Sequence, residues 1–262
     1  MPWIEIQDQD IYYVEAGPED ESVPAIVFLH GMSSCGEAWW QQFGYFSSKY
    51  RVYAFDSVNH GHSSNSQRDQ EEPDRTDELE AFLSAKKISQ PILAGNSMGG
   101  ATILRWASRH PGDAKALIIS GMGVAEPGQS AVRKVRPLDN DTLFLPVGQA
   151  LTSRLKQERP RMFERYLRIR STATRLEYLR HPRPRNAKTI SETTLVSEAI
   201  QQVTSPMLVI IGSLDGLIPN AERLHALVPH SQYAVIEGAP HNVYWEAAIE
   251  WNETVAEFLD SL

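Results

Sequence analysis

The stretch LAGNSMGG, Leu93 to Gly100, sets a single hydroxyl among three glycines and an alanine. Within it GNSMG, Gly95 to Gly99, fits the pattern G-x-S-x-G. The apolar run ILAGNS before it reads as a strand. ATILRWASRH after it has apolar residues at spacings of three and four, as one face of a helix requires. A chain that leaves a strand and enters a helix at once needs residues without side chains where it doubles back. A serine at the tip of that turn has its oxygen pushed into the open, and the helix start brings backbone N–H groups to where negative charge would form. The five-residue pattern alone is weak, because a structural serine fits it as well. The strand and helix around it favour Ser97 as a nucleophile.

Working outward, WIEIQ and IYYVEAG alternate like a hairpin joined by the polar turn around Asp8 to Asp10. PAIVFLHG, YRVYAFD, ALIISG, MLVIIG and YAVIEG are further short apolar runs of strand length. Between or after them, Glu37 to Lys49, AERLHALV and the closing WNETVAEFLDSL read as helices. Strand–helix alternation of this kind predicts an α/β fold with a mostly parallel central sheet flanked by helices. From about Gly123 to Val203 no convincing strand occurs, but helical stretches such as RPRMFERYLRIRSTATRLEYLR do. That interval is expected to be a helical cap inserted between two strands. The division is residues 124–203 for the cap, with 1–123 and 204–262 as the core.

A serine hydroxyl needs a base, and the base needs an orienting group. In this architecture the expected chain order is serine, acid, histidine. LVIIGSLDGLIP puts Asp215 in the loop after a strand, and VIEGAPHNVYWE does the same for His241 after the last strand. Among the eight histidines, His110 precedes a proline at a helix end, His225 lies on a helix, and His30, His60 and His62 read as turn residues. The alternatives are a turn-capping aspartate and a surface-loop histidine. An oxyanion hole calls for the N–H of the residue after the nucleophile, Met98, and one from an earlier strand's loop, which FLHGMSS offers at Met32. Cys35 reads as a small buried side chain, and aromatic packing is the default for Trp39, Trp40 and Trp245.

Composition bounds the rest. The chain has 262 residues, 42% hydrophobic and 22% charged, with one cysteine. That leaves no internal disulfide and no cysteine metal cluster, and no cofactor is called for. The start MPWIEIQDQD has neither a basic nor an apolar signal region, and no apolar run is long enough to span a bilayer, so a soluble cytoplasmic protein is expected. The net charge is −8, but Ala131 to Lys188 holds 15 Lys and Arg against 5 Asp and Glu. The arginines there are scattered among leucines and tyrosines rather than packed in a run. They read as a solvated helical surface rather than a nucleic-acid site.

With these residues assembled, the chain resembles the α/β-hydrolase fold superfamily across essentially its whole length. The resemblance rests on HGM after one strand, DSVNHGHS at Asp56 to Ser63, GNSMGG, SLDGLIP and GAPHNVYWE. It implies a triad of Ser97, Asp215 and His241 and a cap over the pocket after ALIISG. The overall pattern is similar to small carboxylesterases and cofactor-free perhydrolases. GNSMGG also looks like the elbow of carbon–carbon hydrolases acting on meta-cleavage products, although those carry a tryptophan where this chain has Asn242. The expected chemistry is hydrolysis of a small-molecule ester through an acyl-enzyme. The alternatives are carbon–carbon cleavage with the same triad, or a slow-turnover ligand receptor on the same fold.

Overall fold

The computed structural model describes residues 2–66, 73–126, 150–173 and 198–262. Eight strands form its sheet: β1 (Trp3–Ile6), β2 (Gln9–Ala16), β3 (Ala25–Leu29), β4 (Arg51–Phe55), β5 (Ile92–Asn96), β6 (Ala116–Ser120), β7 (Met207–Gly212) and β8 (Gln232–Ile236). Their spatial order is β1-β2-β4-β3-β5-β6-β7-β8. β2 runs antiparallel to its neighbours β1 and β4, and every other pairing is parallel. The hairpin turn falls at Gln7 and Asp8, both with positive φ, so Asp10 lies in β2 rather than in the turn.

The helices are α1 (Trp40–Phe46, after a 3-10 turn at Gly36–Trp39), α2 (Arg75–Ala85), α3 (Met98–Arg109), α4 (Ser153–Glu158), α5 (Pro160–Ala173), α6 (Ile218–Leu227), α7 (Val243–Glu246) and α8 (Ala248–Asp260). None of the described helices is long and apolar enough to cross a membrane. The apolar stripe of α2 is short, Leu79, Phe82 and Leu83, because charged and polar residues fill the rest of its buried face. Its inner side buries Arg75, Thr76 and Glu78 together with Leu79, Phe82 and Leu83. Arg75 and Glu78 pair at 2.9 Å, and Glu78 also accepts the Val58 N–H at 3.0 Å. Pro160, a breaker by type, opens α5, where its missing N–H costs nothing.

The pleat divides the core in two. Val27 and Leu29 of β3, Leu93, Ile119, Val209 and Ile211 face α2, α3 and α6. Ile26, Phe28, Ala94, Ile118 and Ile210 face Trp39, Phe46 and the α8 residues Trp251, Val255 and Phe258. The inner strands β3, β5, β6 and β7 are buried on both sides because helices cover both sides. Leu151, Leu155, Tyr166 and Ile169 of the 150–173 segment join the second cluster beside Tyr244 and Trp245, and Phe163 and Leu167 pack against it. The ends of the expected cap, 124–126 and 198–203, place Val124, Ile200 and Val203 in the first cluster, and its remaining residues, 127–149 and 174–197, lie outside the described residues.

The order of strands also fixes where a ligand can sit. From β3 the chain moves outward to β4, then returns past β3 to β5. Crevices at such a reversal, beyond the carboxyl ends of the strands, are where open α/β sheets bind ligands. The loop after β3 carries Gly31 and Met32, and the turn after β5 carries Ser97.

Candidate active site

Ser97 is the hinge between β5 and α3 and adopts φ 54° and ψ −111°. A non-glycine residue at positive φ is strained, by roughly 1–3 kcal/mol, and persists only where its surroundings hold it. Ser97 N–H donates to Ser120 O at 2.9 Å, and Ala101 N–H donates to Ser97 O at 2.9 Å. Serine at this helix position usually turns its hydroxyl onto the helix N–H groups, but Ser97 makes no such cap. The neighbouring glycines are explained by contact. A Cβ on Gly99 would lie 2.2 Å from Leu29 O, so α3 approaches β3 too closely for any side chain.

Asp215 and His241 come together from the loops after β7 and β8. His241 Nδ1 lies 2.7 Å from Asp215 Oδ2. Asp215 is buried, and its second oxygen accepts Leu217 N–H at 3.0 Å, which fixes the carboxylate plane. A ring that donates from Nδ1 keeps Nε2 as a proton acceptor. The ring lies beside the end of β6, where a Cβ on Gly121, next to Ser120, would come within 3.3 Å of His241 Cε1. No hydrogen bond joins Ser97 Oγ to the imidazole among the described residues. Such contacts are often long before substrate binds and tighten with it.

The loop after β3 flanks the serine on its other side, since a Cβ on Gly31 would sit 3.5 Å from Ser97 Cβ. Met32 follows, with its side chain partly exposed, and Met98 N–H opens α3. His30 braces this loop: Nδ1 donates to Gly31 O at 2.9 Å, and Nε2 accepts Ser57 N–H at 3.1 Å. Burial holds His30 neutral by lowering its pKa to about 4. It is a fixed strut rather than a proton carrier. In the DSVNHGHS loop the buried Asp56 accepts N–H groups from Gly36 at 2.7 Å and His62 at 2.9 Å, while desolvation raises its pKa. Cys35 is buried, as are Trp39 and Trp245, whereas Trp40 is partly exposed under the Arg165 guanidinium.

The sequence reading did not assign a role to Asn242 or Tyr166. Asn242 accepts from Asn96 Nδ2 at 3.0 Å and donates to Tyr166 Oη at 2.8 Å. Amides directly before Ser97 and directly after His241 were the available signal. Nothing local pointed to Tyr166, 76 residues from Asn242.

Comparison with known proteins places this geometry. A family model described as alpha/beta hydrolase fold matches residues 24–248. The chain is 23% identical over 250 residues to a pimeloyl-[acyl-carrier protein] methyl ester esterase of Vibrio cholerae, covering 89% of this chain and 93% of that one. The crystal structure of an enol-lactonase from Burkholderia xenovorans superposes with a TM-score of 0.82 at 20% identity, over 99% of this chain and 100% of that one. A meta-cleavage product hydrolase from Pseudomonas fluorescens gives 0.69 at 18% identity, over 99% and 97%.

Proposed function

The chain belongs to the alpha/beta hydrolase fold family and is an enzyme of that family, and on that premise we propose that it hydrolyses carboxylic esters through an acyl-enzyme on Ser97. One observation carries the proposal: a strained serine with its hydroxyl unused as a helix cap stands beside a His241–Asp215 pair closed at 2.7 Å. His241 Nε2 takes the Ser97 proton as Oγ attacks the ester carbonyl. Asp215 holds the ring in the tautomer that leaves Nε2 free and balances its charge once protonated. The N–H groups of Met32 and Met98 receive the oxyanion, at about 3 kcal/mol for each donor. His241 then protonates the departing alcohol. Water, deprotonated by the same ring, cleaves the acyl-enzyme and releases the acid.

Residues 124–203 serve in this reading as the cap that shapes the acyl pocket, and 1–123 with 204–262 as the catalytic core. The packing of α4 and α5 against Tyr244 and Trp245, just beyond His241, supports that division. Ester cleavage is favoured over carbon–carbon cleavage by the sequence relatives: a methyl ester esterase and an enol-lactonase, both named for ester bonds, are among them.

The test is turnover of short aryl esters, acetate and butyrate, with no metal added. The wild type is expected to hydrolyse them and to keep its rate in EDTA. Ser97→Ala is expected to lose several orders of magnitude in kcat, about as much as removal of the whole triad. Ser97→Ala with undiminished turnover overturns the assignment, and clean cleavage of a dienol ketone without esterase activity favours the carbon–carbon reading.

A further inference from the structure

We propose that Asn242 is a positioning residue, the middle link of a buried hydrogen-bond chain that makes the placement of α5 a determinant of turnover at Ser97. The inference rests on Ser97 and His241 being nucleophile and base. Asn242 is buried immediately after His241, and both ends of its amide are used. Nδ2 donates to Tyr166 Oη at 2.8 Å, and Oδ1 accepts from Asn96 Nδ2 at 3.0 Å. An amide satisfied at both ends has one orientation. Arg170 Nη1 donates to the same Tyr166 oxygen at 3.0 Å and fixes the phenol in turn.

At the elbow the chain ends on an atom that depends on it. Asn96 Oδ1 is buried with no hydrogen-bond partner among the described residues. The Asn96 amide is therefore oriented from its Nδ2 side, by Asn242. Its oxygen rests against Gly121, where a Cβ would meet Asn96 Oδ1 at 2.9 Å and His241 Cε1 at 3.3 Å. The amide and the imidazole thus border the same small space beside Gly121, where a glycine leaves no side chain between them. The backbone around Asn242 is tied to the same segment. Asn242 N–H donates to Ala150 O at 3.0 Å, and the N–H and hydroxyl of Thr152 both donate to the Glu246 carboxylate at the end of α7. A buried amide left unpaired costs about 1–3 kcal/mol, so breaking one link reorients the next rather than leaving it in place.

The chain is tested by kcat and KM for an aryl acetate in the wild type, Tyr166→Phe, Asn96→Ala and the double variant. Rates are counted per site titrated with a fluorophosphonate, so that only folded, competent enzyme enters, and melting temperatures are measured alongside. Each single variant is expected to lower kcat by about tenfold with KM changed less than about twofold, and the double variant to be no slower than the slower single. Effects that multiply, a change confined to KM, or a lower melting temperature with kcat per titrated site unchanged would each overturn the chain. Should Asn96→Ala fail to fold, Asn96→Ser takes its place in the cycle under the same criteria. A Ser97→Ala arm, counted per mole of protein because it offers no serine at the elbow to titrate, separates the two levels. If it turns over like the wild type, the nucleophile assignment fails and this inference with it; if it is inactive while the cycle multiplies, the inference alone fails.

Discussion

His241 Nδ1 meets Asp215 Oδ2 at 2.7 Å, although the two residues stand 26 apart in sequence on the loops after β8 and β7. Parallel pairing of those strands brings their carboxyl ends side by side, and the Leu217 N–H on the other carboxylate oxygen prevents rotation. Asp215→Asn keeps the shape but reverses the tautomer preference of the ring. The expected result in the proposed reaction is a kcat lower by roughly 10³–10⁴-fold with KM little changed. A loss confined to KM would show that Asp215 contacts substrate instead.

Two glycine substitutions have opposite expected signs. Gly99→Ala puts a methyl 2.2 Å from the Leu29 carbonyl oxygen, a backbone atom held by the sheet. Urea unfolding is expected to show a loss of about 3 kcal/mol. Gly44, in α1, has nothing within 4 Å of an added Cβ. Gly44→Ala is expected to gain about 0.5–1 kcal/mol, since the unfolded chain loses freedom and no contact is strained. Equal effects at the two positions would contradict the close approach of α3 to β3.

His30 supplies a pH dependence of stability. The unfolded chain takes up a proton at this residue near its ordinary value of 6.5, and the folded chain only near 4, because burial and then the Arg75 charge disfavour the cation. Between those values the unfolded state holds more protons, so the contribution is complete above 6.5 and is lost as pH falls toward 4. The loss amounts to about 3 kcal/mol at its fullest. The neighbouring His60 is lowered in the same sense, whereas Asp56, raised by burial, acts oppositely. The difference between wild type and His30→Gln therefore isolates the residue: the urea midpoint is expected to fall less steeply in the variant between about pH 6.5 and 4.5. Parallel curves would mean that His30 takes up its proton as readily in the fold as in the unfolded chain.

The exposed arginines of α4 and α5 are expected to leave turnover nearly indifferent to salt. Arg154 is 60% exposed in its pair with Glu158. Arg165 and Arg168 line a cavity of about 220 Å³ with Glu37 and His62, and none of the proposed catalytic residues lines it. Exposed charges more than about 8 Å from the reacting atoms are screened at physiological salt. Neutral and anionic esters should therefore show the same small change in kcat/KM from about 0.05 to 0.5 M NaCl. A steep fall for the anionic ester alone would mean that the arginines steer substrate.

The fold and the proposed catalytic residues could be read from the chain because their signals are local. The strands are short apolar runs; Ser97 follows one directly, and Asp215 and His241 stand in the loops after two others. α2 was less legible, because its apolar stripe is only Leu79, Phe82 and Leu83 and a buried Arg75–Glu78 pair occupies the turn before it. The role of Asn242 was not legible for a different reason. Its partners Asn96 and Tyr166 stand 146 and 76 residues away, and only the fold brings them into contact. Pro160 misleads when read by type alone, since the same ring that breaks a helix interior starts one.

The most direct measurement is a fluorophosphonate reaction followed by intact-mass and peptide analysis, run in parallel with ester turnover. The expected result is one adduct per chain, on the peptide containing Ser97, with turnover falling in step with labelling. An adduct on another residue, or full hydrolytic activity in a chain modified at Ser97, would contradict the assignment of the nucleophile.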